Sequence, residues 1–280
     1  MHIIQITDCP RDAIQGLKKQ IPSEPKSAYI QKALDSGLFH SIDFGSFVSP
    51  KAVPQMADTE EVLKRLKKPK NDTQLLAIIA NERGAERASQ FDLVDILGFP
   101  FSISEEFQQR NTGASREEAL LRIARIQEIA ETAGQRVRIY LSMAFGNPYG
   151  EPWFAEEVLI WAQKLIEMGI NSLALSDTIG VARQDSVKEL FAKFNRNFPE
   201  IELSAHFHAA PGQWQELVEI AFELGCTHFD GAFQGFGGCP MAKDELVGNI
   251  PTEGLLQWKG IDENQIEELN SAFQKLVSYA

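Results

Sequence analysis

The sequence predicts the α/β class, as a single (β/α)8 TIM barrel with a short extra C-terminal helix, and three observations carry that prediction. Short β-rich apolar runs alternate eight times with longer amphipathic segments, the pattern of parallel strands joined by crossover helices. The 280 residues are 44% hydrophobic and 24% charged, average proportions for a globular chain, and barrels of this length fill one undivided core. The dinucleotide fingerprint G-x-G-x-x-G, which an open doubly wound sheet would place after its first strand, is missing there; "GFGG" occurs only after the last strand. No linker, low-complexity segment or compositional break divides the chain, so residues 1–280 read as one domain.

The elements follow in order. The first strand is "HIIQIT" (His2–Thr7), with a helix around Lys26–Gly37. The second is Phe39–Phe47, followed by "DTEEVLKRLKK" as helix. The third, Thr73–Ala80, precedes "NERGAERASQF". The fourth, "LVDILGFPF", is followed by a polar stretch, "SISEEFQQRNTGAS", and then the helix "REEALLRIARIQEIAETAG". The fifth, Arg136–Phe145, precedes "PWFAEEVLIWAQKLIEMG"; the sixth, Ser172–Thr178, precedes "DSVKELFAKFNRNF". The seventh, Ile201–His208, precedes "GQWQELVEIAFELG", and the eighth, Thr227–Phe233, leads through a Gly-Cys loop to "TEGLLQWK". A last helix, "ENQIEELNSAFQKLVSYA", closes the chain. Gly37, Gly134, Gly169 and Gly225 directly follow helical runs, where left-handed C-caps favour glycine.

Composition excludes several function classes. A formal net charge of −12 repels nucleic acid and anionic membranes alike. The one short basic run, "LKRLKKPK" (Leu63–Lys70), reads as a solvated helix end. Three cysteines, Cys9, Cys226 and Cys239, are too sparse for a disulfide framework and fit a reducing compartment. The N-terminus reads as a strand, since its apolar run is short and lacks a basic lead. No stretch reaches the roughly 18 apolar residues of a membrane span. The expectation is an acidic cytoplasmic protein.

In this barrel the chemistry sits at the C-terminal ends of the strands. Unusual polar residues collect there: Asp8, Arg11, Asp12 and Gln15 after the first strand, Asp43 on the second, and Ser176, Asp177 and Thr178 at the end of the sixth. The seventh ends in His206 and His208, and the loop after the eighth carries Cys239 and Asn249. Residues two apart on a strand share a face, so both imidazoles point into the top of the barrel, with Asp12 across it. Imidazole nitrogens with carboxylate and amide oxygens suit a divalent ion of moderate hardness, and the lack of a thiolate pair argues against structural zinc. Arg11 and Asp12 are placed on the turn after the first strand, where one holds the ion and the other reaches a substrate oxygen. Gln15, Asp43, Asp177 and Thr178 are candidate substrate contacts. Cys239, displayed in "GFGGCP", is a candidate acid or base on a glycine-hinged loop. Cys226 reads as a small buried hydrophobe, and Cys9 is left unassigned. His40 and His228 fall at strand starts, the structural end of the barrel.

Several longer motifs carry a family resemblance. "PRDAIQ" (Pro10–Gln15), "SFVSPKAVPQMAD" (Ser46–Asp58), "NPYGE" (Asn147–Glu151), "SDTIGV" (Ser176–Val181), "HFH" and "GFGGCPMAK" (Gly235–Lys243) follow, in order, those of the lyase branch of the metal-dependent pyruvate carboxyltransferase-like barrels. Across nearly the whole chain it resembles the 3-hydroxy-3-methylglutaryl-CoA lyase family. The resemblance implies Asp12, His206, His208 and Asn249 as ligands of a divalent cation, Mg²⁺ or Mn²⁺. It implies Arg11 as the cation beside the enolate oxygen, and Cys239 as the catalytic cysteine, with Asp12 and His206 also in the reacting set. The implied reaction is retro-Claisen cleavage of an acyl-CoA, releasing acetoacetate and acetyl-CoA, as in leucine catabolism.

The chain also departs from that pattern. Thr7 stands where these lyases have a glutamate, Cys9 replaces a glycine, and G-L-Q has become Ala13-Ile14-Gln15. Asp43 replaces a longer acid, "HAAPG" replaces H-D-T-Y-G after the histidines, and one extra residue lies between Cys239 and Asn249. These departures leave two other readings beside the first: a Claisen-type synthase joining acetyl-CoA to a 2-oxo acid, and a non-catalytic barrel that binds metal and thioester. A homodimer is expected if the last helix exposes an apolar face.

Overall fold

The computed structural model describes residues 4–237 and 247–280. The chain begins with β1 (Gln5–Asp8), α1 (Pro10–Gln15), α2 (Ser23–Ser36), β2 (Ser41–Ser46) and α3 (Thr59–Leu63). It continues with β3 (Gln74–Ile78), α4 (Glu82–Ala88), β4 (Ile96–Ser102), α5 (Glu105–Thr112), α6 (Arg116–Ala133), β5 (Arg136–Ser142), α7 (Ala155–Glu167) and β6 (Ser172–Asp177). The last part runs through α8 (Gln184–Asn197), β7 (Glu202–Ala209), α9 (Trp214–Glu223), β8 (His228–Gly231), β9 (Gly248–Asn249), α10 (Thr252–Trp258) and α11 (Glu263–Val277). Strands β1 to β8 pair in parallel with their sequence neighbours, and β8 pairs with β1, so the sheet closes into the expected (β/α)8 TIM barrel.

Period-two alternation sorts the side chains. Ile6, Leu97, Phe99, Ile139, Leu173, Leu175, Phe207 and Phe229 are buried in the layer between sheet and helices. Leu76, Ile96, Tyr140 and Ala174 form a second, smaller apolar cluster inside the barrel. Gly98 lies in that interior, where a Cβ would stand 2.7 Å from Ile78 Cδ1 and 3.1 Å from both Leu76 and Tyr140. Below this layer the interior is polar. Buried Arg138 donates to Glu202 at 2.7 Å and to Ser172 at 3.1 Å, and its Nη2 lies 3.3 Å from His228 Nδ1. His228 Nε2 lies 2.8 Å from Thr7 Oγ1, which in turn lies 2.8 Å from Ser41 Oγ. His40 and His228 do sit at this structural end, and with Glu202 they form a cluster of possible metal donors. Both ring nitrogens of His228 already have neighbours, and the Arg138 guanidinium beside them opposes a cation.

The local differences from the sequence reading have identifiable causes. The segment read as a turn after the first strand is helix α1, started by Pro10 at its first position. The polar stretch after the fourth strand contains α5, with the Ser104 side chain accepting the Phe107 N–H and left-handed Gly113 ending it. The helix expected over "DTEEVLKRLKK" stops at Leu63, leaving most of the basic run exposed, as expected of a solvated segment. Strand β9 was not foreseen, since two residues give no periodicity. The four cap glycines do have positive φ, from 65° to 95°. The last helix turns Ile266, Leu269, Phe273 and Leu276 inward, with Phe273 edge-on to Tyr29 of α2, so its apolar face is covered by its own chain. Among the described residues no helix is long and apolar enough to cross a membrane.

Candidate metal centre

Three elements converge at the C-terminal rim. Helix α1 supplies Asp12, strand β7 supplies His206 and His208, and the two-residue β9 supplies Asn249. β9 pairs antiparallel with the end of β7, placing Asn249 opposite His208 in register. This pairing brings the chain back to the site after the glycine loop. Donor atoms of Asp12, His206 and His208 all lie within 4.8 Å of one another. Asn249 Nδ2 donates to Asp12 Oδ2 at 2.7 Å and to the Phe236 carbonyl at 2.9 Å. Gly237 crosses here so closely that a Cβ would meet the Asp12 carbonyl at 2.6 Å and Asn249 Nδ2 at 2.9 Å.

The donor set fits a divalent cation. His208 Nδ1 lies 3.1 Å from the Thr178 carbonyl oxygen, which can only accept, so Nδ1 carries the proton and Nε2 presents a lone pair. His208 Nε2, 3.8 Å from Asp12 Oδ2, is buried without a hydrogen-bond partner among the described residues, and so is Asn249 Oδ1. Buried acceptors left unpaired are costly, and a cation would satisfy both. Burial would raise the Asp12 carboxyl, but Arg11 and the two histidines outweigh it and hold the group well below the usual carboxylate range. Asp12 is therefore held as the carboxylate anion, the form that suits a cation.

Arg11 points into the same cavity. Its Nε donates to both Asp43 oxygens at 3.1 Å, Nη2 also donates to Asp43, and Nη1 donates to Asp12 Oδ1 at 2.9 Å and Gln15 Oε1 at 3.0 Å. Of the five guanidinium N–H bonds, one on Nη2 remains for another acceptor. Burial would lower the Arg11 pKa, but Asp43 and Asp12 more than offset it, so the guanidinium stays charged. Asp43 itself is 1% exposed; burial pushes it up to about 6 against the pull of Arg11.

A cavity of about 420 Å³ opens over these groups. Its lining combines polar Arg11, Asp12, Gln15, Thr178, His206 and His208 with apolar Val48, Val53, Ile78 and Phe107, and Arg110 and Asn111 also border it. Of the candidate substrate contacts, Gln15 and Thr178 line it, and Asp43 stands behind Arg11. Asp177 faces the other way, since its carboxylate accepts the N–H groups of Val181 at 2.9 Å and Ala182 at 2.8 Å. Cys239 lies outside the described residues. Cys226 and Cys9 are both buried. Among the described residues two non-glycines have positive φ, Met143 and Gln234, and they follow β5 and β8 at this same rim, the kind of place where strained backbone collects.

Sequence reasoning missed Asp230. This β8 acid is 1% exposed and its Oδ2 lies 3.2 Å from His206 Nδ1. An acid two residues after His228, on the same face of the strand, was the available signal. It also missed the partners of Asp8, whose oxygens accept from Tyr29 at 2.6 Å and Thr252 at 2.9 Å. No local pattern announces those contacts.

Fold and site together define the class: a TIM barrel with a candidate divalent-metal centre at the rim where this architecture does its chemistry. A family model described as HMGL-like matches residues 3–267. A hydroxymethylglutaryl-CoA lyase of Pseudomonas mevalonii is 35% identical over 248 residues, 88% of this chain and 81% of that one. The crystal structure of a Bacillus subtilis HMG-CoA lyase superposes with a TM-score of 0.90 at 31% identity, covering 99% of this chain and 94% of that one. An HMG-CoA lyase from Acinetobacter baumannii, in complex with coenzyme A and 3-methylmalate, superposes at 0.89 with 29% identity, covering 99% and 92%. The chain belongs to the HMGL-like family, and it is an oxo-acid lyase like its relatives.

Proposed function

We propose that this protein cleaves 3-hydroxy-3-methylglutaryl-CoA into acetyl-CoA and acetoacetate by a divalent-metal-dependent retro-Claisen reaction, with Mg²⁺ or Mn²⁺ as the ion. The observation that carries the reading is one cavity holding both parts the reaction needs. Asp12, His206 and His208 bring converging donors to the cavity, with Asn249 bonded to Asp12; among the described residues His208 Nε2 and Asn249 Oδ1 are unpartnered buried acceptors, and Arg11 lines the same cavity with one N–H left over. The relatives named as HMG-CoA lyases, one with coenzyme A bound, support an acyl-CoA as substrate.

Asp12, His206, His208 and Asn249 would hold the ion. A bound divalent cation would supply Lewis acidity toward the tertiary hydroxyl and a neighbouring carbonyl oxygen. The Asp12 carboxylate stands in this donor set and would accept the hydroxyl proton. As the hydroxyl proton leaves, its oxygen becomes the ketone of acetoacetate. The electron pair of the broken carbon–carbon bond passes to the thioester α-carbon, giving an enolate. Arg11, held by Asp43, Asp12 and Gln15, offers its remaining Nη2–H to that enolate oxygen, where a preorganised donor contributes most. Cys239 of the glycine loop is proposed from the sequence motif as the acid that protonates the enolate carbon. Gln15 and Thr178 border the bound acyl group, and Asp43 acts through Arg11. Asp177 acts on the loop that follows it.

The test is release of acetyl-CoA and acetoacetate from 3-hydroxy-3-methylglutaryl-CoA, with Mg²⁺, with Mn²⁺ and with chelator, in wild type, His206→Ala and Cys239→Ala. Metal-dependent release lost in both variants is expected. Condensation of acetyl-CoA with a 2-oxo acid, without cleavage, would replace this reading with the synthase one.

A further inference from the structure

We infer that Asp230 is a positioning residue of the metal centre: it holds the His206 imidazole with its proton on Nδ1 and so turns Nε2 toward Asp12 and His208. The inference rests on the donor set described above.

The two histidines are held by different means. Nδ1 of His208 is fixed by a main-chain carbonyl, whereas Nδ1 of His206 faces a side-chain carboxylate at 3.2 Å. β7 and β8 are neighbours in the barrel, and alternation turns His206 and Asp230 to the same interior. An imidazole backed by a carboxylate is a stronger donor through its opposite nitrogen than one backed by an amide carbonyl. The ring is also confined sideways, edge-on to Tyr140 at 5.7 Å and to His208 at 5.0 Å. Rotation about its bonds therefore exchanges one well-defined arrangement for a poor one.

Nothing else in the described structure claims the carboxylate. Asp230 Oδ1 has no hydrogen-bond partner among the described residues, so the directed bonding of this buried acid goes to His206. A fully buried carboxylate is expensive to keep without a partner that needs it. Orientation of a ligand imidazole is such a need.

The experiment measures Mn²⁺ affinity by electron paramagnetic resonance in wild type, Asp230→Asn and Asp230→Ala, without substrate. It also records the imidazole ¹⁵N shifts of His206 in the Mg²⁺-saturated proteins. We expect Asp230→Asn to weaken Mn²⁺ binding by about 10–100-fold, the usual cost of removing such a partner. We also expect the Nδ1–H signature of His206, present in wild type, to be altered in both variants. Wild-type Mn²⁺ affinity in Asp230→Asn, or unchanged His206 shifts in both variants, overturns the inference. Asp230→Asn is isosteric and decides the matter if Asp230→Ala does not fold. Neither readout uses an acyl-CoA, so failure of the proposed cleavage reaction would leave this result standing.

Discussion

Asn249 donates its side-chain amide to Asp12 Oδ2 at 2.7 Å, joining β9 to the first helix of the chain. That bond ties Asn249 to the candidate donor set, and it depends on the antiparallel contact of β9 with the end of β7. Asn249→Ala removes the unpaired Oδ1 together with the bonds to Asp12 and Phe236. We expect divalent-metal affinity to fall at least tenfold, with a stability loss of about 1–3 kcal/mol. Calorimetric titration with Mn²⁺ alongside urea unfolding measures both; unchanged affinity would remove Asn249 from the shell.

Metal removal should be visible in stability as well as activity. A ligand bound only by the folded state adds roughly 2.7 kcal/mol at a concentration one hundred times its Kd. Melting of the protein with saturating Mn²⁺ and with chelator should therefore differ, and the difference should vanish in His208→Ala. An equal shift in that variant would place the ion elsewhere.

Arg11 should affect turnover more than binding. With one N–H left for the developing enolate oxygen, Arg11→Met is expected to lower kcat by about 10²–10³-fold with a smaller change in KM. Asp43→Asn leaves Asp12 as the remaining counter-charge. Its stability cost should be about 1–3 kcal/mol, below the 3–5 kcal/mol of a fully orphaned buried charge. Steady-state kinetics and urea unfolding separate the two effects.

Asp8 gives a pH dependence of stability with a definite sign. Burial raises its pKa from 3.8 to about 7, despite the hydrogen bonds from Tyr29 and Thr252. Between those values the folded state holds a proton that the unfolded chain has released. Its contribution is thus full below about pH 4, is lost as pH rises toward 7, and is flat above. The difference amounts to roughly 4 kcal/mol. Asp8→Asn keeps the shape without the titration, so its unfolding free energy should lack this fall and match or exceed wild type at pH 8. A parallel pH profile for the two proteins would refute the assignment.

Gly98 tests the barrel interior. A Cβ there meets Ile78, Leu76 and Tyr140 side chains at 2.7–3.1 Å, so Gly98→Ala overpacks the lumen below the cavity. We expect a loss of about 1–3 kcal/mol on urea unfolding. Full stability would mean that these side chains move aside freely.

The sequence by itself determined the barrel and the order of its strands and helices, because hydrophobic period and cap glycines are local properties that each segment carries alone. It also picked out Asp12, His206 and His208, because residues two apart on a strand share a face and the architecture fixes which end is reactive. The tertiary structure decided everything that depends on which elements meet. It folded the segment after β1 into a helix, so that adjacent Arg11 and Asp12 serve one cavity while Asp43 holds the guanidinium from β2. It turned Asp177 to its own loop, although one residue earlier Ser176 faces the cavity. It brought Asp230 under His206 and Asn249 beside Asp12. These are pairings between distant segments, and their geometry is set by strand register and barrel closure, which no single stretch of sequence encodes.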